Sequence, residues 1–198
     1  WGALFTGIVT QQLFTYLFPR FSEAKKNSEI NGILNDVFRL TTFLMIPFLF
    51  IGIAFRYQII PFFYSSEFLE AANYLPGHFI GILFTMWMYS FTQVFAPTGR
   101  LKTIVFFNFI IYSINLGLIY FLVPVVGLYA WMLRFIVTPV TFFFIFSLYL
   151  NKTIGFSILK YNMCLMLYAI LSSLILYGIV EWNNLLGYIL SLFFLFIS

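Results

Sequence analysis

Residues 103–122 read TIVFFNFIIYSINLGLIYFL. No charged residue interrupts them, and about 20 such positions suffice for a helix to cross the hydrocarbon core of a bilayer. Working outward from this stretch, charges and prolines divide the chain into seven apolar segments near residues 1–18, 38–60, 74–96, 103–122, 125–149, 161–180 and 184–198. Hydrocarbon offers no hydrogen-bond partners, so each segment must satisfy its own backbone as a helix, and none shows the alternating pattern of a barrel strand. The predicted fold class is an all-α polytopic membrane protein of about seven transmembrane helices. Composition agrees: 63% of the 198 residues are hydrophobic and 8% charged, against about 45–50% and about 25% in a soluble domain. That balance excludes a water-soluble globule and leaves no room for a soluble catalytic domain. The chain begins at Trp1 within an apolar stretch, which predicts further spans upstream; no basic region or cleavage site marks a signal peptide. The single cysteine, Cys164, cannot form an internal disulfide.

The charges between segments alternate. Loops one, three and five carry Arg20, Lys25, Lys26 and Arg39, then Arg100 and Lys102, then Lys152 and Lys160, whereas the opposite side has Arg56 alone, near Glu67, Glu70 and Glu181. Eight basic residues against one is a strong positive-inside bias. It predicts a multi-pass protein of the cytoplasmic (inner) membrane, with loops near 19–36, 97–102 and 150–160 and the C-terminus in the cytoplasm. In a membrane protein the surplus of basic residues reports orientation, not nucleic-acid binding.

Arg134 lies inside a segment, about nine residues from its outer end and so near mid-depth. A guanidinium there is costly unless it finds water or a partner. It can snorkel outward, pair with an acid elsewhere in a longer chain, or face a hydrated cavity and hold an anionic group, for which its fork geometry suits phosphate oxygens. Gly127, Ala130, Thr138 and Thr141 share its helical face. The third segment carries a similar stripe of His78, Gly81, Thr85, Tyr89, Thr92 and Ala96, and the fourth places Asn108, Tyr112 and Asn115 together. Any one stripe is accounted for by helix packing. Three on consecutive segments, one holding an arginine, favour a shared polar cavity. His78 is either an interfacial residue or a proton relay. The sequence contains no metal-binding cluster, phosphate loop or nucleophile–base pair, so neither a cofactor nor a catalytic residue is predicted.

The turns between segments resemble those of polysaccharide and O-antigen flippases, the Wzx-like branch of the multidrug/oligosaccharidyl-lipid/polysaccharide exporter superfamily. Phe18-Pro19-Arg20-Phe21-Ser22-Glu23-Ala24 resembles that family's Pro-x-x-Ser turn. Ile59-Ile60-Pro61-Phe62-Phe63-Tyr64 followed by Phe68-Leu69-Glu70-Ala71-Ala72 is similar to its apolar run into "lyg..F..aa". Ala96-Pro97-Thr98-Gly99-Arg100-Leu101-Lys102, with Asn108 and Asn115, resembles its "a.Gr.k" turn and two-Asn helix, and Val123-Pro124-Val125-Val126-Gly127-Leu128-Tyr129-Ala130 its "ip..G..Ga" turn. The likeness covers about residues 12–150. Tyr64-Ser65 and Tyr129 stand where the family usually has glycine or a small residue.

The resemblance implies two six-helix lobes around a central cavity, with two more helices in longer members. Residues 1–150 would be helices of one such lobe, the second or alternatively the first, and 151–198 the added pair. It implies flipping of an undecaprenyl-pyrophosphate-linked oligosaccharide for surface polysaccharide synthesis, alongside membrane lipids and other polysaccharide assembly proteins. Arg134 would hold the pyrophosphate, and Thr138, Asn108, Asn115 and Tyr89 would line the sugar path. The alternatives are a cation-coupled multidrug exporter of the same superfamily, which needs a buried acid, a polymerase or ligase acting on lipid-linked sugars, which needs a long outer loop with clustered reactive groups, and a membrane subunit that transports nothing. The fragment has neither the buried acid nor the long loop. The expectation is a transporter, not an enzyme.

Overall fold

The computed structural model of the chain describes residues 2–127 and 129–182. Seven α-helices follow one another: α1 (Gly2–Glu23), α2 (Asn27–Ala54), α3 (Arg56–Phe63), α4 (Leu75–Thr92), α5 (Leu101–Val126), α6 (Tyr129–Ile154) and α7 (Lys160–Trp182). A 3-10 helix, Ser66–Asn73, links α3 to α4, and no strand occurs among the described residues. The chain is an all-α polytopic membrane protein, as its apolar periodicity predicts. Helices α2, α5, α6 and α7 are long and apolar enough to cross a membrane. Among the seven predicted spans, the first and third are helices that fall short of that mark, because Gln11 and Gln12 dilute α1 while His78 and several hydroxyls dilute α4. The segment predicted at 184–198 lies outside the described residues.

Several helices run past their predicted ends into polar sequence, whereas α4 stops at Thr92, short of the predicted 96, and α6 starts at Tyr129 rather than 125. The first loop, expected over 19–36, shrinks to Ala24–Lys26, since α1 runs through Pro19 to Glu23 and α2 starts at Asn27. Glu29 secures that start by accepting the backbone N–H of Lys25 at 2.8 Å and of Lys26 at 3.4 Å, which satisfies amides that open a helix. The fifth loop likewise contracts to residues 155–159, where Gly155 (φ 68°) reverses the chain and Phe156 N–H reaches back to Leu150 O at 3.3 Å. Hydropathy marks where lipid ends, whereas helical hydrogen bonding continues into water through Glu, Lys and Asn.

Helices α4 and α6 run side by side in the same direction, with Tyr74 against Tyr129 at 4.8 Å near one end and Phe95 against Tyr149 at 5.8 Å near the other. Two glycines four residues apart permit the approach. A Cβ on Gly77 would lie 2.5 Å from Met132 Sδ, and one on Gly81 would collide with the backbone oxygen of Phe135. Helix α2 covers the other side of α4, where Trp87 donates Nε1–H to Thr42 Oγ1 at 2.9 Å. Phe38, Phe91, Phe143 and Phe156 close the core between α2, α4 and α6 with ring centroids 4.9–6.2 Å apart. Tyr129, whose bulk departs from the family pattern, fits because Tyr74 takes it edge to face.

Helix α7 lies parallel to α2 and is held at both ends. At one end Asn162 donates to Asn35 O at 2.8 Å and to Asn35 Oδ1 at 3.0 Å, while Asn35 accepts Leu159 N–H and donates to Ser157 O. At the other, Arg56 Nη2 meets Glu181 Oε1 at 2.7 Å. Along α7 the two attachments, at Asn162 and Glu181, are about 30 Å apart at ~1.5 Å per residue, which is about the thickness of the hydrocarbon core. Packing at Gly81 makes a clean prediction. Gly81→Ala should lower the thermal unfolding temperature of the detergent-solubilised protein, at an overpacking cost of about 1–3 kcal/mol. Gly117→Ala, where nothing lies within 4 Å, should leave it unchanged or slightly higher.

Candidate functional site

Helices α4 and α5 both pack on α6, and the wedge between them is a cleft of about 150 Å³. Thr85, Tyr89 and Thr92 enter it from α4, Asn108, Tyr112 and Asn115 from α5, and Arg134 and Thr138 from α6. The spacing of three and four residues puts each set on one helical face. All five residues singled out for substrate contact, Tyr89, Asn108, Asn115, Arg134 and Thr138, therefore stand around a single space. Thr138 Oγ1 donates to Asn115 Oδ1 at 3.0 Å, joining α5 to α6. Thr85 and Thr92 turn their hydroxyls to the backbone oxygens of Gly81 and Tyr89 in their own helix. Thr141, expected on the same stripe as Arg134, is exposed instead, and Gly81 serves the contact with α6.

Arg134 is half-buried. Its guanidinium carbon sits 5.0 Å from the ring centre of Trp131 and 4.3 Å from that of Phe135, contacts that favour a cation. Its Nε is buried without a hydrogen-bond partner, and among the described residues it joins no ion pair. Because α6 begins at Tyr129, Arg134 is about five residues, or ~7.5 Å, inside the helix. Arg134 is the one charged residue among the described residues lining the cleft, which is therefore cationic. Its volume suits a phosphate group or a single sugar ring and lies below the ~300–1,000 Å³ of pockets that enclose larger ligands.

His78 does not join the five. Its ring packs against Phe135 at 4.4 Å and lines a separate cleft of about 400 Å³ with Glu67, Glu70, Tyr74 and Trp131. Phe135 borders both spaces and stands between them.

Sequence reasoning missed Arg56, which it counted as a loop residue. Arg56 opens α3 and is 0% exposed. Besides Glu181 it donates Nη1–H to Ile53 O at 3.0 Å, capping a carbonyl left free where α2 breaks at Phe55, and it stacks over Tyr57 and Tyr177. A signal was available: it is the one basic residue among the acidic loops, where an unpaired arginine is out of place. The pair is asymmetric, because the Glu181 side chain is 44% exposed. Removing the carboxylate strands a buried cation, whereas removing the cation leaves an acid that water can solvate. Glu181→Ala should therefore destabilise the protein by about 1–3 kcal/mol and Arg56→Met by clearly less, read as unfolding midpoints in detergent.

A protein-family model described as MatE matches residues 15–121, over half of the chain. The matched stretch takes in His78, Tyr89, Asn108 and Asn115 and stops before α6, which carries Arg134 and Thr138. No curated protein and no solved structure matches.

Proposed function

The chain belongs to the MatE family of membrane exporters, and from that premise we propose that it flips an undecaprenyl-pyrophosphate-linked oligosaccharide across the cytoplasmic membrane. Members of this family are transporters rather than enzymes. The observation that carries the finer reading is the α4–α5–α6 cleft: a guanidinium with a buried, unpartnered Nε, free of any ion pair among the described residues, surrounded by amide and hydroxyl groups. An arginine of this kind suits pyrophosphate oxygens, and Asn108, Asn115, Thr138 and Tyr89 suit the hydroxyls of a sugar. The polar headgroup cannot enter hydrocarbon, so a hydrated wall of this composition would shelter it while the polyprenyl tail stays in lipid. Alternating access would then expose the cleft to each side in turn.

On this reading the basic loops and the C-terminus face the cytoplasm, residues 1–150 form helices of one lobe, and 151–198 supply an additional pair. The lipid-linked oligosaccharide is the transported partner, and proteins that assemble surface polysaccharide are its neighbours. A cation-coupled drug exporter of the same superfamily, the alternative reading, requires an intramembrane acid; Glu23, Glu29, Asp36, Glu67, Glu70 and Glu181 are all exposed, so on that reading the acid would belong to helices outside residues 1–198.

The test is transfer of lipid-linked sugar to the outer leaflet in cells producing the full-length protein, with membrane abundance held equal. Arg134→Ala should reduce transfer about 10- to 100-fold, the loss expected when charge-assisted hydrogen bonds to phosphate disappear, and Arg134→Lys should restore part of it. Normal transfer by both variants would remove Arg134 from the site.

A further inference from the structure

A second cleft, of about 460 Å³, opens where α1, α2 and α7 meet. Arg20 and Tyr16 line it from α1, Arg39, Leu40 and Phe43 from α2, and Tyr161 and Leu165 from α7. Its polarity is graded in the same way on α1 and α2. On α2, Arg39 precedes Phe43 by one turn, ~6 Å. On α7, Tyr161 precedes Leu165 by one turn, and α1, which runs in the opposite direction, carries Tyr16 and Leu17 one turn before Arg20. Each of α1 and α2 thus presents an arginine at the level of the basic loops and an apolar side chain, Leu17 or Phe43, one turn deeper, and α7 adds Leu165 at the deeper level.

We infer that this cleft binds an anionic phospholipid of the leaflet on the basic-loop side, its phosphate held by Arg20 and Arg39 and its acyl chain lying along Leu40, Phe43 and Leu165. Both arginines are available. Arg20 makes only a cation–π contact, 5.1 Å from the Tyr16 ring, among the described residues. Arg39 pairs with Asp36 at 3.1 Å, but both side chains are more than half exposed, and an exposed pair of this kind contributes little and yields readily to a phosphate. Two guanidiniums against one carboxylate leave the cleft cationic. Basic pockets between membrane helices on the cytoplasmic side are the sites where anionic headgroups bind, and Leu40 and Phe43 are exposed along the path that a chain would follow. This lipid would remain bound and is not the transported substrate, so the inference stands or falls independently of the cleft around Arg134.

The full-length protein reconstituted in nanodiscs of phosphatidylglycerol and phosphatidylcholine, released into native mass spectrometry, provides the test. The unmodified protein should retain phosphatidylglycerol in preference to phosphatidylcholine. Arg20→Ala and Arg39→Ala should each reduce that retention about tenfold. Arg100→Ala, on the same side but outside the cleft, should not change it, and the Arg20→Lys/Arg39→Lys double variant should keep most of it. On the unmodified protein, a phosphatidylglycerol with a photoreactive headgroup should label peptides containing residues 16–43 or 161–165. Equal retention of both lipids, undiminished retention in both Arg20→Ala and Arg39→Ala, or labelling confined to other peptides would overturn the inference. Displacement of the lipid by millimolar inorganic phosphate would also overturn it, because the site would then recognise phosphate without the chain.

Discussion

In hydrocarbon a polar group without a partner costs several kcal/mol, and α2 and α7 meet that demand for one another. Asn35 and Asn162 exchange hydrogen bonds at one end, and Arg56 and Glu181 join at the other. None of these helices could carry its polar residue alone, since Asn35 on α2, Asn162 on α7 and Arg56 at the start of α3 are all buried. Once the two helices are registered, Phe38 and Thr42 on α2 are placed for Phe91 and Trp87 on α4. From there the glycines of α4 draw α6 into contact.

The cleft around Arg134 follows from these contacts. With Gly77 and Gly81 consumed by the contact with α6, the remaining polar face of α4, Thr85 through Thr92, turns toward α5. Helix α5 is held to α6 by the Thr138–Asn115 hydrogen bond and brings Asn108 and Tyr112 to the same space. Small residues set how close the backbones come, and the larger polar residues further along occupy the gap that results. One stripe on α4 thus serves both packing and cavity, at successive turns.

Much of this was legible in the sequence because helical periodicity is local. Tyr89, Asn108, Asn115, Arg134 and Thr138 could be assigned to faces from spacing alone, and three such faces on consecutive helices converge without knowledge of the tertiary structure. The helix ends were less legible: Asn27 and Ile154 lie in polar sequence that hydropathy assigns to loops, although helices continue through it. Arg56 was least legible, because its partner Glu181 is 125 residues away and a lone charge at the edge of an apolar run looks the same whether it faces water or the protein. The role of Gly81 was ambiguous for a related reason, since a glycine in a stripe fits a cavity wall and a close contact equally well.

The double attachment of α7 also bears on the surrounding bilayer. An isolated membrane helix adapts to a thinner or thicker membrane by tilting or shifting along its neighbours. Helix α7, fastened to α2 at one end and to the start of α3 about 30 Å away, cannot shift past its neighbours without breaking a buried polar contact. Around this pair, hydrophobic mismatch is therefore met by tilting the two helices as one unit or by deforming the lipid, not by sliding one helix along the other.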